Sequence, residues 1–197
     1  MPLKIIHPRH TEVMGTGLVL ISSPPVKDPK RDLYTGQIVE EAALLSRSGA
    51  IIAREIKPDQ EEDEARQVWS DFDKSAQSFV GEYGIKCIIV IVGTSEPGIM
   101  IRPHPGNSTS EEILEIIRSG LEPHFKTRVT DPGAEDSSNQ VLPIVRLELG
   151  PDERGFMKDQ FVNSLADIIG LINTGLGFSE SKPRSGLGVS RGPDTVL

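Results

Sequence analysis

The chain has 197 residues, of which 37% are hydrophobic and 25% are charged, a composition typical of one folded domain and not of a disordered or fibrous chain. Its formal net charge of -8 provides no general attraction to phosphate backbones or anionic lipids, so we expect neither nucleic acid nor a membrane as a partner. No apolar run approaches the roughly 20 residues that span a bilayer, and Met1 to His10 lack the apolar core of a secretory signal, so we expect a cytoplasmic protein.

The first quarter of the chain predicts a strand, a loop, a helix and a second strand. Leu18 to Ile21 form a short apolar run that ends in Ser22-Ser23-Pro24-Pro25, which is typical of a buried strand entering a loop. From Gly36 to Ser48, apolar residues recur at helical spacing, and a glycine follows as a stop signal. Ile51 to Ala53 are then predicted to form the next strand.

The middle of the chain predicts a long amphipathic helix followed by a central strand. Residues Ala65 to Tyr83 carry apolar side chains at steps of three and four, and we expect Trp69, Phe72 and Phe79 to pack on the sheet. Cys87 to Val92 are uncharged and mostly β-branched, as in a parallel strand that is covered on both faces. The run begins with the only cysteine of the chain, which excludes an intramolecular disulfide, and its apolar neighbours predict a buried thiol.

The last third of the chain predicts a helix, a strand and a final helix. A capping pattern precedes Ile113 and predicts a helix that continues to Leu121. Ile144 to Leu149 resume as a strand, and Asp152 can cap a helix that continues to Thr174.

Strands and helices alternate through residues 1–174, so we predict one domain there, followed by a flexible tail at 175–197 where glycine, serine, proline and charge replace apolar residues. The alternation predicts a three-layer α/β/α sandwich around a mostly parallel central sheet. Ligands of such folds bind at the carboxyl ends of strands. The loops after Ile21, Val92 and Leu149 are therefore the predicted location of the site.

Four short segments occur in these loops and strands in a recognisable order: Ile21-Ser22-Ser23-Pro24-Pro25, Asp32-Leu33-Tyr34-Thr35-Gly36, Val90-Ile91-Val92-Gly93 and Val145-Arg146-Leu147-Glu148-Leu149. Together they resemble the successive signatures of the N-formylglutamate amidohydrolase family, along residues 17 to 173. The resemblance implies a phosphorylase/hydrolase-like fold. It also implies hydrolysis of an amide at a zinc ion. Two histidines and a carboxylate bind the zinc, and a glutamate transfers the proton.

The chain departs from the family pattern at the zinc ligands. The first histidine aligns with Pro25, the second with Val92, and the aspartate that precedes the second with Val90. Neither proline nor valine has a side-chain lone pair for a metal. We therefore expect a degenerate metal site and no cofactor, whereas family members that keep the histidines use zinc.

Three other polar residues match the family pattern. Asp32, or less well Asp28, stands at the place of the carboxylate ligand, and Glu148 matches the late-strand glutamate. Arg102 follows the loop after the central strand and could hold a substrate carboxylate in a bidentate fork. The resemblance thus implies Glu148 as the catalytic residue, Arg102 and Asp32 as substrate-binding residues, and a small acidic molecule as the ligand.

Each of these residues also has a purely structural interpretation. Glu148 lies on the same strand face as Arg146, so the two can form an ordinary surface ion pair. Arg102 can be a solvent-facing loop residue, and Asp32 can favour the start of the helix at Thr35 through the helix dipole.

The four histidines do not suggest a second metal site by their spacing. His7 and His10 are three residues apart, but Pro8 between them disfavours a helix that would align them. We expect these two, His104 and His124 to be surface residues. The alternative is a substitute metal site in which His104 joins Asp32 or Glu148.

Two classes of function remain open from the sequence. The first is an amidohydrolase of the N-formylglutamate type that acts on a small carboxylate-bearing amide. The second is a non-catalytic ligand-binding or interaction module on the same fold, because the metal ligands are missing while some of the pocket residues are kept.

Overall fold

A computed structural model describes the fold for residues 3–25, 34–53, 62–103, 111–130 and 142–177. In chain order its elements are β1 (Leu3–Ile6), β2 (His10–Met14), β3 (Val19–Ser23), α1 (Thr35–Ser46), β4 (Gly49–Ala53), α2 (Glu62–Tyr83), β5 (Cys87–Gly93), β6 (Ile99–Pro103), α3 (Glu111–Leu121), β7 (Thr127–Val129), β8 (Ile144–Leu149), α4 (Pro151–Arg154) and α5 (Lys158–Gly175). None of the described helices is long and apolar enough to cross a membrane.

The strands pair into one sheet in the order β1-β2-β4-β3-β5-β8-β6-β7. The four central strands β4, β3, β5 and β8 are parallel, and β6 and β7 are parallel to each other. The hairpin of β1 and β2 joins β4 in the antiparallel sense, as β6 joins β8. The sheet is therefore mostly parallel, as the sequence predicts, and β8 is inserted between β5 and β6.

The helices divide between the two faces of the sheet. On one face α1, α3 and α5 cover the larger core, to which Ile21, Ile89, Leu147 and Phe161 belong. On the other face α2 contacts β2 and β4, and Phe72 and Phe79 pack with Leu20 and Ile51. This arrangement confirms the predicted three-layer α/β/α fold.

Helix α2 begins three residues earlier than predicted and contains two of the three predicted core aromatics. Glu62 and its two acidic neighbours in the first turn favour this start through the helix dipole. Phe72 is 8% exposed and Phe79 is 3% exposed, as expected. Trp69 is 41% exposed, so its prediction as a core residue is wrong. The tryptophan ring packs edge-on against Phe72. It lies at the margin of the apolar stripe of α2, and this stripe is wider than the part of the helix that contacts the sheet.

Strands β1, β2, β6 and β7 were not predicted from the sequence. The hairpin of β1 and β2 forms an edge of the sheet, and its apolar residues Leu3 and Ile6 are more than 60% exposed, so no buried alternation marks it. Strand β7 has three residues, too few to show a period. Strands β2 and β6 are largely buried, but each has only five residues. The four strands therefore lack the long apolar patterns that predict the central ones.

The end of the described chain differs in detail from the prediction of one helix after Asp152. Helix α4 stops after four residues, and α5 begins at Lys158 after a turn that includes Gly155. Helix α5 ends at Gly175, where the predicted tail begins. Residues 178–197 of that tail lie outside the described residues.

Cys87 is fully buried in the larger core at the start of β5. Burial in apolar surroundings disfavours the thiolate and raises the pKa of this thiol to about 12. The predicted buried, structural thiol is confirmed.

Candidate functional site

Two rows of side chains cross the centre of the sheet near the carboxyl ends of β3, β5 and β8. The register of the strands aligns the first row, which consists of Ser22, Val90, Arg146 and Arg102. The second row lies one step nearer the carboxyl ends of the parallel strands and contains Val92, Glu148 and Met100. Paired residues on neighbouring strands point to the same face, and here it is the face that α2 partly covers.

Glu148 holds two arginines through one oxygen atom. Nε of Arg102 and Nε of Arg146 each lie 3.2 Å from Oε1 of Glu148. The carboxylate side chain is 11% exposed, whereas the side chains of Arg102 and Arg146 are 36% and 52% exposed. The cluster carries a formal charge of +1. The shortest contact of each ion pair is made by Nε, and each guanidinium carries four further N–H donors on its terminal nitrogens, so the cluster is chemically suited to an incoming anion.

The structure brings together two of the three predicted site residues. Glu148 and Arg102 are in direct contact, and Arg102 belongs to strand β6 and not to a loop. The structure also contains the ion pair of Glu148 with Arg146 that the purely structural interpretation predicts. Asp32 and Asp28, the two candidates for the carboxylate ligand, lie outside the described residues.

Pro25 and Val92, which the sequence resemblance aligns with zinc ligands, lie at the carboxyl ends of adjacent strands. Ser22 pairs with Val90, so continuing β3 by two residues brings Pro24 level with Val92. Val92 is 4% exposed and is the register partner of Glu148. The described residues at this edge offer no imidazole, and the carboxylate of Glu148 is held by two arginines. These residues therefore do not match the set of two histidines and one carboxylate that the resemblance implies for zinc.

Two buried charged residues on α4, which the sequence analysis missed, complete this edge of the sheet. Arg154 is 6% exposed, and its Nε lies 3.1 Å from the carbonyl oxygen of Leu149 while a terminal nitrogen lies 3.0 Å from that of Thr94. It thereby ties the loop after β5 to the loop after β8. Glu153 is 5% exposed, and its Oε2 has no hydrogen-bond partner among the described residues. The only sequence signal is their position directly after a predicted strand.

A second polar cluster lies at the hairpin of β1 and β2. Within the described ranges, His7, His10 and Glu12 are the one group of three metal-ligand side chains whose ligand atoms approach one another, all within 4.8 Å. Burial alone would raise the pKa of Glu12, but hydrogen bonds from Ser75 and His10, together with the nearby ring of His7, outweigh it and hold that pKa below its ordinary value. The carboxylate is therefore ionised at neutral pH.

The prediction that the histidines are surface residues is wrong for His10. It is 7% exposed, because it starts strand β2 beneath helix α2, where Ser75 contacts it. His7 is half-buried and stacks on it, with ring centroids 4.3 Å apart. His124 is exposed as expected, and His104 lies outside the described residues.

No family model and no curated protein matches this sequence. Among solved structures, the gene product Atu2144 from Agrobacterium tumefaciens aligns with 82% of this chain and 91% of its own, at 13% identity and a TM-score of 0.57. A candidate metallopeptidase from Shewanella amazonensis SB2B aligns over 86% of both chains, at 10% identity and a TM-score of 0.54. The CwlD amidase from Clostridioides difficile aligns with 80% of this chain and 98% of its own, at 15% identity and a TM-score of 0.50.

The fold is therefore one that amidase-like and peptidase-like proteins also adopt. At these levels of identity the similarity concerns the fold alone, because unrelated chemistries are built on common folds. The function has to be argued from the side chains at the carboxyl ends of β5 and β8.

Proposed function

We propose that this protein binds a small amide that carries a carboxylate group, and that Arg102 and Arg146 recognise the carboxylate. The observation that carries the proposal is the contact of both guanidinium groups with one oxygen of the nearly buried Glu148. The N-formylglutamate type of ligand follows from the sequence resemblance, and the amidase-like fold supports it.

Glu148 acts in this proposal as the residue that positions the arginines. Its carboxylate side chain is nearly buried and pairs with Nε of both arginines, whose side chains are more exposed than its own. An arginine that is ordered before binding loses less conformational entropy when the ligand arrives. Each charge-assisted hydrogen bond to a ligand carboxylate then contributes roughly 1.5–3 kcal/mol.

Hydrolysis of the same amide is the second candidate function, and two observations favour it. The fold is shared with the CwlD amidase, and Glu153 is a second buried carboxylate at the strand ends, with one oxygen that lacks a hydrogen-bond partner within the described part of the chain. Against it, Pro25 and Val92 replace the ligands that would hold a water-activating zinc ion. We therefore place ligand binding first and hydrolysis second.

The test is calorimetric titration of the full chain with N-formyl-L-glutamate, with its dimethyl ester as the uncharged comparison. We expect binding of the acid and none of the ester. Arg102→Gln and Arg146→Gln should each weaken binding about tenfold or more, which corresponds to about 1.4 kcal/mol. Arg118→Gln is the matched control, because Arg118 is an exposed arginine that pairs with glutamates on helix α3. Equal affinity in all four proteins would reject the arginine site.

The same samples distinguish binding from hydrolysis. Release of formate, followed by chromatography, would show turnover. Loss of turnover in Glu153→Gln with retained ligand affinity would assign the proton transfer to Glu153. Binding without formate release would establish the non-catalytic function.

A further inference from the structure

We propose that His7, His10 and Glu12 form a binding site for a transition-metal ion, with Zn²⁺ as the ion that best suits their chemistry. Strand β2, which carries His10 and Glu12, lies three strands from β5 and four strands from β8. At a strand spacing of about 4.8 Å, this places the cluster roughly 14 Å and 19 Å from those strands. The site is therefore separate from the arginine site and does not depend on the function proposed for it.

The distances between ligand atoms are close to those of a metal centre. Oε1 of Glu12 lies 3.1 Å from Nε2 of His10, and Oε2 of Glu12 lies 3.2 Å from Nε2 of His7. Two ligand atoms bonded to a tetrahedral zinc ion at about 2.0–2.1 Å are about 3.3 Å apart. Each imidazole thus lies at about this separation from one oxygen of Glu12, and one ligand atom from each of the three residues lies within 4.8 Å of the other two.

The hairpin explains why residues at this spacing converge. The backbone N–H of His7 donates to the carbonyl oxygen of His10 at 2.9 Å, which closes the turn through Pro8 and Arg9. His10 and Glu12 are two residues apart on strand β2, so both point to the face under α2. The turn then brings His7 back over His10, and the three side chains meet.

Two nitrogen atoms of the cluster lack hydrogen-bond partners among the described residues. His10 is more than nine-tenths buried, and its Nδ1 has no hydrogen-bond partner among the described residues. Nε2 of His7 is also buried. Although it lies 3.2 Å from Glu12, it makes no hydrogen bond of acceptable geometry within the described residues. Buried polar atoms without partners are rare in folded proteins and often mark a site for an ion or a water molecule.

Nearby charge does not oppose a cation at this position. The guanidinium of Arg9 is the cationic group of the turn, and it pairs with Asp71 on α2 at 3.0 Å. Glu12 adds a negative charge at the cluster itself. A divalent ion would therefore meet one carboxylate and two imidazole rings.

The donor set selects the kind of metal. Two imidazoles and one carboxylate are borderline ligands that suit Zn²⁺, whereas Mg²⁺ and Ca²⁺ prefer oxygen ligands alone. Three protein ligands leave one tetrahedral position for water. The rings are stacked with an angle of 16° between their planes, so one imidazole has to turn out of the stack to share an ion. We assign this movement to His7, because it is the more exposed of the two.

The experiment is calorimetric titration of the full chain with zinc chloride, together with visible spectroscopy of the Co²⁺-loaded protein. The wild type should bind one equivalent of zinc and give the intense absorption of tetrahedral Co²⁺. Glu12→Gln keeps the shape of the side chain and His7→Ala removes the more exposed imidazole, and each should weaken zinc binding at least tenfold. His124→Ala is the matched control, because it removes an exposed histidine in the turn after α3, and it should bind as the wild type does.

Circular dichroism of each variant establishes that it is folded before titration. In the wild type, zinc should also shift the imidazole resonances of His7 and His10 and leave that of His124 in place, which tests the site without any substitution. Absence of stoichiometric binding, or equal affinity in Glu12→Gln and wild type, would overturn the proposal. A zinc-induced shift at His124 in place of His7 and His10 would overturn it too.

Discussion

Arg102 and Arg146 lie directly opposite each other on the antiparallel strands β6 and β8, and both are bound to the same oxygen of Glu148. Two like charges in this position normally destabilise a sheet. Here the nearly buried carboxylate of Glu148 contacts both guanidinium groups. It compensates their repulsion and links the two strands. The pairing of β6 with β8 and the proposed ligand site thus depend on the same residue.

The first prediction concerns that bridge. Glu148→Gln should lower the free energy of unfolding by roughly 1–3 kcal/mol, because it leaves two guanidinium groups facing each other without an anion. Urea denaturation measures the loss. Adding Arg102→Met to Glu148→Gln should restore part of the stability by removing the repulsion. If the second substitution lowers stability by as much as it does in the wild-type background, the two residues are not coupled.

The second prediction compares two neighbouring aromatics on α2. Phe72→Ala should cost roughly 3–5 kcal/mol, because Phe72 is 8% exposed and packs in the core between α2 and the sheet. Trp69→Ala should cost much less, since the tryptophan is 41% exposed. Urea denaturation of both variants gives the comparison. Similar losses for the two would mean that Trp69 is buried in solution.

The third prediction uses the ion pair between α1 and α5. Nζ of Lys158 lies 2.9 Å and 3.0 Å from the two carboxylate oxygens of Glu41. Burial alone would raise the pKa of Glu41, but hydrogen bonds from Lys158 and Gln37 outweigh it and lower the pKa from its ordinary value of 4.5. A lowered pKa means that the stabilisation is fully present above about pH 4.5 and is lost as the pH falls through the folded-state value.

Glu41→Gln should therefore be less stable than the wild type near pH 7, by roughly 0.2–1 kcal/mol as expected for a partly exposed pair. The difference should shrink as the pH falls below about 4.5. Thermal denaturation from pH 7 to pH 3 tests this. Glu115→Gln, at the 60% exposed Glu115 on α3, is the control and should show a smaller difference at pH 7. A difference between Glu41→Gln and wild type that does not depend on pH would contradict the assignment.

The fourth prediction tests the alignment of the lost zinc ligands. Pro25→His and Val92→His together, in a Glu12→Gln background that removes the hairpin cluster, should create zinc binding that neither change produces alone. The reason is that both positions lie at the carboxyl ends of adjacent strands, and the resemblance supplies Asp32 as the third ligand. Calorimetric zinc titration measures it, after circular dichroism has established that the buried Val92→His change is tolerated. No gain in the double variant over the singles would show that the alignment is wrong.

The central strands and long helices were predictable because burial imposes a pattern on them. Residues 144 to 149 were predicted with the bounds that the structure has, since apolar side chains fill one face of β8. The edge hairpin was not predictable, because β1 is mostly exposed and β2 has only five residues, so neither shows a clear burial pattern. Edge strands are specified by the neighbour they pair with, and that neighbour is not visible in the local sequence.

The candidate site was predictable only in part, for a related reason. Glu148 and Arg102 emerged from the family resemblance, and Arg146 emerged as a competing partner for Glu148. Their shared oxygen atom depends on the register between β6 and β8, which joins residues 46 positions apart. The His10 environment similarly depends on Ser75, 65 positions away on α2. Spacing within one segment carries no information on such contacts.

The position of β8 between β5 and β6 has a consequence for the chain as it leaves the ribosome. Strand β6 ends at Pro103, but its central partner begins only at Ile144. At about 5–20 residues per second, the nascent β6 waits roughly 2–8 seconds for that partner. During this interval the unpaired edge of β5 is also available, and pairing of β5 with β6 would exclude β8. Correct folding thus requires that β5 and β6 do not pair before β8 has been synthesised. The chain is most exposed to misfolding and chaperone binding in the interval between the synthesis of β6 and that of β8.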